Sequence, residues 1–231
     1  MTYDLLLSFG CSFTLGGGLN SLHYHKCIDS GLTRSKDLDH YMLEHSFPGY
    51  LSRQLGCDYI NYGTSCAGND FIFKKVYDTL SSHNTDKKVL VTIQSSILSR
   101  ILLNDADSGE SININGFDTA RNDEQKQYYG LYVTKFFDEK KEYAKVMQQF
   151  DVYTTWLKSK NIDVVCLMHD TGPYKMPTGG HFIDFNGASL GAFISHNKLR
   201  LCDSTTFNDS HYSPQGNEII ANTIYQHLNL K

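Results

Sequence analysis

No two of the six cysteines are spaced as CxxC, so the sequence lacks the signature of a dithiol redox site or a zinc ribbon. Several of Cys11, Cys27, Cys57, Cys66, Cys166 and Cys202 stand in apolar surroundings, where a free thiol packs as a small hydrophobe. A reducing compartment is expected. Clusters of basic charge are also missing: Lys and Arg are scattered, the formal net charge is -4 and the pI is near 6.2. Such a chain has no field for gripping a phosphate backbone, and nucleic acid is not an expected partner. Long apolar runs are absent too. The one near the start, "DLLLSF", is too short for a membrane span and carries Asp4 in place of a positive flank. The expectation is a cytoplasmic protein without a signal peptide or transmembrane segment. Neither internal repeats nor low-complexity tracts appear.

What is present suits a substantial core. The chain has 231 residues, of which 40% are hydrophobic and 13% aromatic, a size readily accommodated in one α/β domain. Short apolar runs recur at 4–9, 57–62, 88–94, 162–168 and 198–203, giving five candidate strands. Helical patterns lie between them: "FPGYLSRQL", "NDFIFKKVYDTLSS", a long one near 124–160, and "SPQGNEIIANTIYQHL" with Ser213 as N-cap and Pro214 in the first turn. This alternation predicts a three-layer α/β/α sandwich around a five-stranded parallel sheet, in a single domain over 1–231. Insertions are expected at 19–45, which carries His23, His25, His40 and His45, and at 104–123, a polar stretch that reads as an exposed loop or small flap.

Parallel sheets place ligands outside the carboxyl ends of their strands, so the loops after the strands hold the candidates. "SFGCSFTLGGG", residues 8–18, follows the first strand and offers Ser12 among glycines. Taken alone, a Ser after a strand is more often a turn or cap residue than a nucleophile; a phosphate loop fits poorly, because no GK[ST] ending supplies a Lys. A nucleophilic Ser needs a base and a carboxylate to orient it, and "FNDSHYSPQGNEIIA" provides Asp209 and His211 just before the last helix. The alternative there is a local cap with a surface His. Backbone donors for an oxyanion could come from "NYGTSCAGND", residues 61–70, and hydroxyl donors from Ser95 and Ser96 in "TIQSS". "HYHKC" could ligate a metal through His23, His25 and Cys27, although no second cluster accompanies it. "MHDTGPYKMPTGGH" places His169, Asp170 and His181 on the same rim, as substrate contacts or as a plain loop.

Each candidate falls after a different strand, and together the motifs resemble those of the SGNH (GDSL-type) hydrolases. "FGCSFT" is similar to the family's first block in bacterial and phage-like variants, "NYGTSCAGND" to its second, and "DSHYSPQGNEIIA" to its last block in a DxH form. The resemblance covers 4–18, 57–97 and 198–227, and it implies a flavodoxin-like SGNH topology. It also implies a serine esterase working through an acyl-enzyme, with Ser12, Asp209 and His211 as the triad and no cofactor or metal. The oxyanion hole would comprise the Ser12 and Cys66 backbone N–H groups and the Ser96 hydroxyl. Gly68, Asn69 and His169 would contact the substrate, a small acyl ester such as an O-acetyl group on a carbohydrate or related alcohol. Two departures stand out. Cys66 occupies the position of the family's Gly, and Ser96 stands where the third block has Asn. Three alternatives remain at this stage: an O-acyltransferase with the same triad, a non-catalytic binding module on the same scaffold, and a flavodoxin-like nucleotide or flavin binder.

Overall fold

The computed structural model describes residues 2–19, 35–82, 86–104, 111–114, 122–177, 179–204 and 209–229. Strand β1 (Leu5–Phe9) is buried along its whole length, as its unbroken apolar run requires of a central strand. It pairs in parallel with β2 (Asp58–Asn61) on one side and β3 (Val89–Gln94) on the other. A fourth parallel strand, Asp163–Leu167, pairs with β3, Thr92 standing opposite Val165. The sheet order therefore places β1 and β3 in the centre and β2 at an edge. Because every pairing is parallel, all four carboxyl ends meet at one rim.

Helices close the sandwich in two pairs. α1 (Ser12–Leu15) is a single turn directly after β1, and α2 (Ser35–His45) leads into α3 (Phe47–Leu55). After β2 comes α4 (Asn69–Leu80). The long helical pattern beyond it is divided into α5 (Asp123–Leu131), one π-helical turn over Tyr132–Phe136, and α6 (Glu139–Ser159). Asp138 begins α6 anew by accepting a bond from the Lys141 N–H, which explains the break within an otherwise continuous pattern. α7 (Leu190–His196), α8 (Leu201–Ser204) and α9 (Pro214–Asn229) complete the chain. α9 packs on α3, and α4 packs on α6, where Phe73 meets Phe150 edge-on at 5.0 Å. Ser213 caps α9 through its hydroxyl, which accepts from the Gly216 N–H at 3.1 Å.

Two expectations change in detail. The polar 104–123 stretch includes part of an antiparallel hairpin, β4 (Ile101–Asn104) with β5 (Ser111–Ile114), so the strand Asp163–Leu167 is β6. The expected fifth sheet strand at 198–203 is not one: Lys198 takes a left-handed φ of 54°, and only Arg200 forms a bridge, to Tyr212. The chain then coils into α8. Leu199 and Leu201 are buried, but two of the run's backbone N–H groups go to the 209–211 segment, Leu201 N to the His211 carbonyl and Cys202 N to the Asp209 carbonyl, and the others bond within the local turns. Among the described residues no helix is long and apolar enough to cross a membrane.

Asn217 fastens α3 to α9. It is 1% exposed; its Oδ1 accepts from the Phe47 N–H at 3.0 Å, and its Nδ2 donates to the Tyr212 and Ser213 carbonyls. Removing the amide leaves the buried Phe47 N–H unpaired. Asn217→Ala is expected to lower unfolding free energy by about 1–3 kcal/mol, read as a reduced midpoint in urea with an unchanged slope.

Candidate active site

β1 delivers the chain to the rim, and Cys11, in extended conformation, turns it into α1. Ser12 opens that turn, so its backbone N–H has no intrahelical acceptor and its side chain stands at the sheet edge. Ser12 Oγ lies 2.9 Å from His211 Nε2. His211 Nδ1 lies 2.6 Å from Asp209 Oδ1. An ionised carboxylate only accepts, so Nδ1 carries the ring proton and the Nε2 lone pair faces the serine hydroxyl. The same Asp209 oxygen accepts the His211 backbone N–H at 2.8 Å. This Asx-type turn is why a carboxylate two residues before the imidazole can reach its ring nitrogen.

The surrounding chain leaves little room for other arrangements. A Cβ on Gly17 would lie 2.8 Å from His211 Nε2. At Gly18, where φ is +81°, a Cβ would lie 2.6 Å from Asp209 Oδ2. Gly17 and Gly18 thus let the backbone approach His211 and Asp209 closely. Phe13 backs the site: its ring stands 4.9 Å from His211 and 4.3 Å, stacked, from His169.

The other predicted residues line the loops after β2 and β3. Cys66 has φ of 61°, a conformation that favours glycine. Ser96 is fully buried, and its hydroxyl accepts from Arg100 Nη1 at 2.8 Å. That bond leaves the Ser96 proton available for donation. Asn69 spends its side-chain amide on the β3 loop: Oδ1 accepts from Ser96 N at 2.7 Å, and Nδ2 faces the Ser96 carbonyl. Gly68 packs against the Arg100 backbone, its Cβ direction blocked at 2.9 Å. Ser95 accepts from the His169 N–H and so anchors the β6 loop to the β3 loop.

Three residues escape sequence reasoning. Arg100, with 9% exposure, bridges Ser96 to the Ala67 carbonyl, and its Nε has no partner among the described residues. Nothing in "SSILSR" separates it from an exposed Arg. Gln94 and Tyr212 are buried and bonded to each other at 3.1 Å. A Gln ending the wholly buried run "VLVTIQ" was the available signal, since a buried amide must find partners.

No family model matches the chain, and no curated protein matches it in sequence. Solved structures do. One is of a carbohydrate esterase whose active site displays divergent catalytic and non-catalytic binding functions; it matches all of this chain and 66% of its own, at 17% identity and a TM-score of 0.50. This chain has that esterase's fold. An α/β hydrolase from the metagenome of Lake Arreo is similar over 99% of this chain and 96% of its own, at 12% identity and a TM-score of 0.49. A member of the lipolytic G-D-S-L family from Veillonella parvula is similar over 96% and 97%, at 9% identity and a TM-score of 0.43.

Among the described residues no group of three His, Cys, Asp or Glu side chains could hold a metal. His23, His25 and Cys27 lie outside the described residues. Cys11, Cys57 and Cys202 are free thiols.

His169 differs from His211 in being 6% exposed, and burial, followed by the Arg100, Arg200 and His211 charges, depresses its pKa to about 3. In the unfolded chain the same ring titrates near 6.5. The unfolded state therefore binds the extra proton between these values, and the stability from burying the neutral ring, complete above pH 6.5, is lost as pH falls toward 3. Between pH 6.5 and 5 this loss is roughly 2 kcal/mol. Denaturant unfolding should show that decline, and the His169→Gln protein, lacking the titrating ring, should show a flatter profile over the same interval.

Proposed function

We propose that the chain is a serine esterase of the SGNH type, cleaving a small acyl ester of a carbohydrate or related alcohol through an acyl-enzyme. The observation that carries this reading is the hydrogen-bonded series Ser12, His211, Asp209, with each proton position fixed by the carboxylate. In the first step Ser12 Oγ attacks the ester carbonyl while His211 Nε2 takes the hydroxyl proton. The imidazolium returns that proton to the leaving alcohol as the carbon–oxygen bond breaks. Water, deprotonated by the same Nε2, then releases the acid and restores Ser12. Asp209 holds the ring orientation and its tautomer throughout.

The oxyanion would be received by the backbone N–H groups of Ser12 and Cys66 and by the Ser96 hydroxyl. Support comes from the Ser12 N–H, which opens α1 and so has no intrahelical acceptor, the glycine-like backbone of Cys66, and the Arg100 bond that leaves Ser96 as a donor. Arg100 is a positioning residue in this scheme. By occupying one lone-pair direction of the Ser96 hydroxyl it restricts the directions in which the proton can point. Gly68 and Asn69 support the reading as parts that tie the second and third loops together.

The wild-type protein should react with a fluorophosphonate probe and hydrolyse an activated acetate ester, and Ser12→Ala should lose both. Ser96→Ala should keep probe labelling but lower kcat by about 10²-fold. Absence of labelling in the folded wild-type protein would refute the esterase and leave a binding module. Partition of the acyl-enzyme between water and an added sugar separates hydrolysis from transfer, with the acid as the expected major product.

A further inference from the structure

A polar cavity of about 610 Å³ opens at the loop after β6, with His169, Asp170, Tyr174, Ser189, Ser195 and Arg200 among its walls. Two chain connections join it to the reacting groups. The His169 ring stacks on Phe13, the neighbour of Ser12, and Arg200 bridges to Tyr212, the neighbour of His211. A ligand whose ester sits at Ser12 therefore has this cavity within reach of its remaining part.

The hydrogen bonds behind His169 determine which of its nitrogens carries the proton. Gln94 Oε1 accepts from Thr14 Oγ1, which turns the amide nitrogen toward Tyr212. Gln94 Nε2 donates to Tyr212 Oη at 3.1 Å, and the phenol in turn lies 2.7 Å from His169 Nδ1. With its oxygen already accepting, Tyr212 sends its own proton to Nδ1. A Tyr212 pKa raised well above its ordinary value by burial keeps that proton on the phenol. Nδ1 is thus an acceptor, and the ring hydrogen of the neutral imidazole resides on Nε2. Among the described residues Nε2 has no partner. Its edge lies beside Gly191, another wall residue, where an added Cβ would stand 3.5 Å from Nε2.

We propose that His169 is a specificity residue, whose Nε2–H, fixed by the series Thr14, Gln94 and Tyr212, donates to a hydroxyl oxygen of a polyol held in this cavity. The proposal rests on the esterase reading for the position of the ester, and it names the alcohol half of the substrate as carbohydrate-like. The walls fit that class. Asp170 can accept from hydroxyls, Ser189, Ser195 and Arg200 can donate, and the Tyr174 ring offers an apolar face, itself stacked on Tyr143 at 4.8 Å. A long alkyl chain would strip these groups of water and give nothing in return. Since the ring stays neutral well below pH 5, the donor persists through the ordinary working range.

The test compares a mono-O-acetylated glucose with 4-nitrophenyl acetate, which has no hydroxyls to offer. In His169→Phe, which keeps the ring stack and removes the donor, the ratio of kcat/KM for the sugar ester to that for the aryl ester should fall about tenfold, mainly through KM. His169→Gln, which restores an N–H, should recover part of the ratio, and Tyr212→Phe should lower it less than His169→Phe does. Equal losses on both esters would mark a purely structural role and overturn the proposal. A second measurement does not depend on turnover. In ¹⁵N-labelled Ser12→Ala protein the His169 ring should carry its proton on Nε2, and that resonance should shift when the acetylated glucose is added. A proton on Nδ1, or no shift at saturating sugar ester, overturns the assignment. A shift in a protein whose wild type hydrolyses neither ester would uphold the polyol site and defeat the esterase reading alone.

Discussion

The hydrogen bond between Ser12 and His211 joins residues 199 positions apart, and the rest of the molecule can be understood as the framework that keeps its two ends in register. One end is held by β1, buried in the centre of a parallel sheet and paired on both sides. The other belongs to no regular element. It is held by the backbone bonds from Leu201 and Cys202, by the Arg200–Tyr212 bridge and by the cap of α9. Both ends therefore rest on structure that cannot shift without breaking buried bonds, which is what a geometry sensitive to fractions of an ångström requires.

Two imidazoles flank the Phe13 ring, and their surroundings give them opposite characters. Beside His211, a carboxylate draws the proton to Nδ1 and leaves a lone pair on Nε2 for the serine. Beside His169, a phenol that already accepts from Gln94 supplies a proton to Nδ1 and leaves the ring hydrogen on Nε2. One ring presents a lone pair at Nε2 and the other a hydrogen, although the two side chains are chemically the same. Solvent exposure reinforces the difference, because His211 is partly open to water while His169 is enclosed.

Legibility in the sequence followed the range of the interactions involved. The runs at 4–9, 88–94 and 162–168 became strands because burial on both faces needs only local apolar residues, and the 57–62 run became the half-exposed strand at the sheet's edge. The helix beginning at Pro214 was marked by its own cap. Asp209 and His211 could be paired in advance because an Asx-type turn operates within three residues. The 198–203 run misled, since Leu199 and Leu201 are indeed buried, but its backbone bonds to local turns and to the 209–211 segment instead of a sheet neighbour. Arg100 and the partners of Gln94 could not be read at all: each is defined by groups from separate strands and loops that meet only after folding.

By itself the sequence determined the parallel α/β layout and the loops that carry reactive side chains, because apolar periodicity, caps and turns act over a few residues. Tertiary structure alone decided which of those side chains meet, which nitrogen of each imidazole bears a proton, and that Ser96 has Arg100 behind it. Those outcomes depend on distances between segments remote along the chain, and such distances are set by the packing of the whole sheet and its helices.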